Sequence, residues 1–344
     1  MVAFIHAGLD RLLIASSALI KHNPLQWVDP PPVDANIPLG DPLAEPDRLA
    51  VVWGPQASTL DVIAPTTFLG APNDRLVLRH WPTQKARRGT VVFVPPWKLR
   101  NLNIIAPMVR AFNRHGFDVV GYPTPYHFER APQGSFSGEF FATWDMPRTG
   151  WAIRAGVLEL CALTESLRPR GPVVLLGTSL GGYLSAMMSV VAARYPHRAF
   201  TPDRLVLIVP PDSILDTFVK SPVGERYRTM LLANGGRIPP MELLEQLALP
   251  FSPSRFQSVV PGDNIMVAAA QHDAMVPLES SQRLANGFGA RFKAYDAGHA
   301  SALVATPSLW RDVGHFLDTL PKVDAQETQD GQEPPQAPPK AQSR

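Results

Sequence analysis

The chain has 344 residues, of which 45% are hydrophobic and 18% charged, with a formal net charge of +2. That length permits one large domain or two ordinary ones, and the apolar share supplies a sizeable buried core. Neither sign of charge runs in long blocks, which excludes the clustered basic footprint of an obligate nucleic-acid binder.

In chain order, residues 1–45 form a lead-in. Residues 4–20 fit an amphipathic helix with Phe4, Ile5, Leu9, Leu12, Leu13, Leu19 and Ile20 mostly on one side. Asp10 and Arg11 interrupt the stretch, no Lys or Arg precedes it, and no small-residue cleavage site follows. It is therefore a poor signal peptide and a poor membrane span. Packing against the domain is its expected role, with peripheral membrane contact through residues 4–20 as the alternative and the cytoplasm as the expected location. Asp29-Pro30-Pro31-Pro32 follows, too rigid and too poor in donors for regular structure.

Residues 46–320 read as the folded domain. Short apolar runs at 49–53, 76–81, 90–94, 118–122, 172–177, 204–209, 264–270 and 291–295 are strand candidates. Helical patterns fall between them at 102–115, 151–167, 180–195, 278–288 and 308–320. This alternation predicts an α/β domain with a mostly parallel, doubly wound sheet of about eight strands, entered through an antiparallel pair. Cys161, the single cysteine, excludes an intrachain disulfide and reads as a small apolar side chain on a helix. Residues 321–344 are almost free of large apolar groups and are expected to be a disordered tail.

The apolar run ending at Leu176 leads into Gly177-Thr178-Ser179-Leu180-Gly181, and a helical pattern starts at once. A G-x-S-x-G turn between strand and helix is so tight that side chains at the flanking glycines would meet neighbouring backbone. It leaves the serine hydroxyl projecting above the sheet, over the positive end of the helix. In this composition chance supplies the motif only about 0.1 times, before its context is counted.

The order strand, GTSLGG, helix, then an acid and a histidine near the C-terminus, resembles the α/β-hydrolase superfamily over residues 46–320. The resemblance implies a serine hydrolase with Ser179 as nucleophile and, later in the chain, an acid and a histidine base. Of nine histidines, His197, His272, His299 and His315 follow Ser179. His299 lies in the loop after the last strand candidate, before a helix, and is the expected base. Asp273, in the loop after the run 264–270, is the expected acid, and would orient the imidazole and stabilise its protonated form. Asp212 is the alternative acid.

Acyl transfer also needs preorganised donors for the developing oxyanion. The resemblance implies the backbone N–H of Leu180 and one from the loop Val94-Pro95-Pro96-Trp97-Lys98. Pro95 and Pro96 have no N–H, so Trp97 is the first candidate. That loop departs from the family's usual His-Gly. Segments 123–150 and 211–261 read as lid insertions, with Tyr126, His127 and Phe128 as pocket candidates.

The sequence has no metal-ligand cluster, no phosphate-binding glycine loop and no CxxC pair, so neither metal nor cofactor is expected. The implied activity is cleavage of an ester, thioester or amide through an acyl-serine intermediate, with a small-molecule acyl substrate. A carboxylic ester is favoured because it asks least of leaving-group assistance. Acyl transfer to an alcohol would use the same triad. A non-catalytic binding module is the other class, motivated by the Pro95-Pro96 loop. The oligomeric state is left open.

Overall fold

In the computed structural model, eight strands form a single sheet in the order β1-β2-β4-β3-β5-β6-β7-β8. The structure describes Asp10, residues 45–142, 146–221 and 240–320, and residues 224, 225, 228, 229 and 232. The proposed helix at 4–20 (Asp10 apart), the proline stretch and the tail 321–344 lie outside the described residues.

The strands are β1 (Ser58–Ile63), β2 (Arg75–Trp81), β3 (Gly89–Val94), β4 (Phe117–Gly121), β5 (Val173–Thr178), β6 (Arg204–Ile208), β7 (Ile265–Ala270) and β8 (Arg291–Tyr295). The described helices are α1 (Ala106–Arg114), α2 (Met146–Leu167), α3 (Leu180–Ala192), α4 (Ile214–Lys220), α5 (Met241–Ala248), α6 (Leu278–Phe288), α7 (His299–Val304) and α8 (Pro307–Asp318). From β4 onward every neighbouring pair is parallel, whereas β1 and β2 run antiparallel to each other and β2 to β4.

Residues of β3, β4, β5 and β7 are buried throughout, because helices cover both faces of a parallel sheet. Alternation along the strands then feeds two cores. Val92, Val94, Leu175, Leu207 and Val267 point to one side, where α2, α3 and α6 close over them. Val91, Phe93, Val174, Leu176, Val206 and Ile208 point to the other, beneath α1 and α8. Fully burying one such side chain contributes about 1.5–3 kcal/mol.

The expected strand at 49–53 is not formed, and β1 lies at 58–63 instead. Leu49, Val51 and Trp53 do alternate inward onto the core while Val52 stays exposed. The period-two pattern is present, but no neighbouring strand takes up its hydrogen bonds. The segment that does pair with β2 is half-exposed and carries Asp61 in its middle, so its apolar signal is weak.

The chain passes from β3 to β4 on one side of β3, then returns through α2 to β5 on the other. This reversal opens a crevice outside the carboxyl ends of β3 and β5, where ligands bind in open α/β sheets.

Candidate active site

β5 ends at Thr178 and α3 starts at Leu180, leaving Ser179 alone to reverse the chain. Its φ of 54° and ψ of −117° lie where L-residues rarely sit. The strain is held from both ends: Ser179 N–H donates to Ile208 O at 2.8 Å, and Ser179 O accepts from Tyr183 N–H at 3.0 Å. The two motif glycines are sterically necessary. A Cβ at Gly177 would lie 2.3 Å from Gly181 O, and one at Gly181 would lie 1.9 Å from Val94 O. The second contact also stacks the end of β3 directly on the start of α3.

Strained backbone gathers at this edge of the sheet. Besides Ser179, the non-glycine residues with positive φ among the described residues are Lys98 after β3, Tyr126 and Phe128 after β4, and Val209 after β6. Such conformations cost about 1–3 kcal/mol each and persist where the surroundings over-determine them, commonly at functional sites.

The loops after β7 and β8 run side by side. Gln271 N–H donates to Tyr295 O and His272 N–H to Ala297 O, both at 2.9 Å, extending the pairing beyond the strands. Asp273 and His299 are thereby carried to the same point. Asp273 Oδ1 accepts from the N–H groups of Met275 and Val276, each at 2.8 Å, which turns Oδ2 toward the imidazole. His299 Nδ1 lies 2.7 Å from Asp273 Oδ2, and its Nε2 lies 2.9 Å from Ser179 Oγ. The three side chains form one continuous hydrogen-bonded line. Burial pulls the imidazole pKa down, but the charge and hydrogen bond of Asp273, with Asp10 adding, outweigh it and leave it above the ordinary histidine value.

Asp212 is elsewhere in the network. Its carboxylate accepts from the N–H (3.0 Å) and hydroxyl (2.8 Å) of Ser254, and holds the 253–255 turn. His197 pairs with Glu45 at 3.1 Å, His272 with Asp296 at 2.9 Å, and His315 lies in α8.

One residue at this site escaped the sequence reading. Asp10 is wholly buried, and its carboxylate accepts from the N–H groups of His299 at 2.8 Å, Ala300 at 3.1 Å and Ala274 at 3.3 Å. The available signal was a charged residue interrupting an otherwise apolar stretch.

No family model matches the sequence, and no curated protein aligns with it. Its backbone does superpose on solved structures. An acetyl xylan esterase from Paenibacillus sp. matches with a TM-score of 0.55 at 12% identity, over 81% of this chain and 90% of that one. Acetyl xylan esterase 1 from Thermoanaerobacterium sp. matches with a TM-score of 0.54 at 14% identity, over 78% and 86%. An acylaminoacyl peptidase from Pyrococcus horikoshii matches with a TM-score of 0.52 at 12% identity, over 76% of this chain and 41% of that one. The chain has the α/β-hydrolase fold.

On this α/β-hydrolase scaffold the expected lid segment after β4 is stitched down rather than hanging free. Gly138 N–H donates to Tyr126 O at 2.7 Å, Ser137 Oγ donates to Leu99 O at 2.6 Å, and Trp97 Nε1 donates to Gly138 O at 2.7 Å. Gly138 has φ 87°, and a Cβ there would meet His127 Nε2 at 2.5 Å and Trp97 Cδ1 at 2.7 Å. Of the pocket candidates, His127 is fully enclosed and Tyr126 nearly so, while Phe128 keeps partial exposure. Burial lowers the His127 imidazole to about 4, against the raising effect of its bond to Pro125 O, so the ring is neutral at pH 7. A groove of about 450 Å³ on the outer face, lined by Ile104, Met108, Leu303, Val304 and Trp310, does not include Ser179 or His299.

Proposed function

We propose that this chain is a serine hydrolase that cleaves a carboxylic ester through an acyl-Ser179 intermediate. The observation that carries the reading is the unbroken line from Ser179 Oγ to His299 to Asp273, at 2.9 and 2.7 Å, with the serine on a strained turn. A hydroxyl becomes a competent nucleophile when a base is within hydrogen-bond reach and a third group orients that base. Both conditions are met. The esterase and peptidase names among the superposed structures support the same chemistry.

In this reading Ser179 Oγ attacks the substrate carbonyl carbon and its proton passes to His299 Nε2. The developing oxyanion is held by the N–H of Leu180, at the start of α3, and by that of Trp97. The contact of Gly181 with Val94 O supports this second assignment, because it brings the Trp97 loop to the helix that follows the serine. Collapse of the tetrahedral adduct breaks the ester C–O bond, and His299 returns the proton to the leaving alkoxide. Water then attacks the acyl-serine by the same path, with His299 again taking a proton and giving it back to Ser179. Phe128 is the pocket candidate best placed to meet a substrate, since Tyr126 and His127 are spent on packing.

The test is labelling by a serine-reactive fluorophosphonate, with turnover of p-nitrophenyl esters of graded chain length beside it. Wild type is expected to label and turn over, and Ser179→Ala to do neither. Equal labelling of the two proteins would remove Ser179 from its role.

A further inference from the structure

α7, the helix that carries the base at its first position, has six residues, and its N-cap is Gly298, which has no side chain. A helix this short gains little from its own hydrogen bonds, and its first N–H groups lack intrahelical acceptors. The first two are satisfied from far away in the chain. Asp10 Oδ2 accepts from His299 N–H and Oδ1 from Ala300 N–H, across 289 and 290 residues of sequence. The same Oδ2 also takes Ala274 N–H, beside the acid Asp273. One carboxylate thus ties the backbone of the base to the backbone next to the acid. Three N–H bonds are what a wholly buried carboxylate needs to offset its desolvation.

We propose that Asp10 is a positioning residue for the relay, fixing the start of α7 against the Asp273 loop so that His299 reaches Ser179 and Asp273 together. This rests on the reading of Ser179, Asp273 and His299 given above. Asp10 touches no reacting atom, and it acts on the imidazole through the backbone of its own residue. Its negative charge also adds to the field of Asp273 on the ring.

The full-length chain tests this with Asp10→Asn, which keeps the size but turns an amide NH₂ toward backbone donors, and Asp10→Glu, which keeps the charge. Two measurements are made on folded protein: the rate of fluorophosphonate labelling, and the NMR resonance of the imidazole proton shared with Asp273, assigned by its loss in Asp273→Asn. Asp10→Asn is expected to slow labelling by about 10- to 100-fold, the cost of a displaced reacting group. The imidazole proton should also exchange faster with solvent. Asp10→Glu should fall between Asn and wild type. Should Asp10→Asn not fold, Asp10→Glu carries both measurements. Labelling within about twofold of wild type, with an unmoved imidazole resonance, would overturn the proposal. If wild type itself does not label, the hydrolase reading falls, and the resonance still decides the role of Asp10.

Discussion

Ser179, His299 and Asp273 owe their alignment to backbone as much as to side chains. The strained turn leaves the serine hydroxyl no helical partner, and the two N–H groups on Asp273 Oδ1 leave Oδ2 for the imidazole. The charge beside His299 then sets a pH dependence. Its pKa is raised, and in the proposed mechanism His299 must be neutral to accept the serine proton, so activity is expected to be lost as pH falls through a value above the ordinary 6.5. The ascending limb of kcat/KM against pH is expected to be centred above that value; a midpoint at or below it would contradict the dominance of Asp273. The two aspartates separate cleanly by substitution. Asp273→Asn should lower kcat by about 10⁴-fold, the scale seen when a triad imidazole loses its orienting carboxylate, with a nearly unchanged melting temperature. Asp212→Asn should instead lose about 1–3 kcal/mol of stability through the Ser254 turn and keep kcat within a few-fold. Ester turnover and thermal melts on both proteins read the difference.

Among the elements, the loop after β4 is anchored to α2 by a buried ion pair. Arg130 Nη2 and Nη1 meet Glu159 Oε1 and Oε2 at 2.7 and 2.8 Å, Tyr122 OH donates to Oε2 at 2.5 Å, and Thr66 Oγ1 donates to Oε1 at 3.2 Å. Both charged side chains are essentially inaccessible. Glu159→Ala would strand the guanidinium in the core, and is expected to cost about 3–5 kcal/mol in denaturant unfolding. A loss under about 1 kcal/mol would show that Arg130 finds other partners. None of this pairing is legible in the sequence, because the partners lie 29 residues apart without a motif between them. The strands β3 to β7 are legible for the opposite reason: burial on both faces writes a nearly unbroken apolar run. β1 is not, because only one of its faces is covered.

At the scale of the whole molecule, Asp118 on β4 joins three regions. It accepts from Thr83 N–H at 2.8 Å and Arg170 Nη2 at 2.7 Å, with Arg87 Nε at 3.2 Å and His80 Nε2 at 3.7 Å. Burial pushes its carboxyl pKa up, but these partners outweigh it and hold it at about 2, against an ordinary 3.8. A depressed folded-state pKa stabilises the fold above the unfolded value, and that contribution disappears as pH falls from about 3.8 toward 2. It amounts to about 2 kcal/mol. Asp118→Asn should therefore flatten the fall in unfolding free energy between pH 4 and 2, measured by urea titration at each pH. The candidate site was legible where a local pattern marked it: the glycines around Ser179, and the positions of Asp273 and His299 after late strands. Asp10 was not, since its partners lie at the opposite end of the chain.

That separation orders events during synthesis. Ser179 is made 120 residues before His299, which at roughly 5–20 residues per second is about 6–24 s. Throughout that interval Ser179 is without the imidazole proposed to take its proton. A fragment that includes Ile208, whose carbonyl holds the turn, but ends before residue 299 would carry Ser179 without its proposed base.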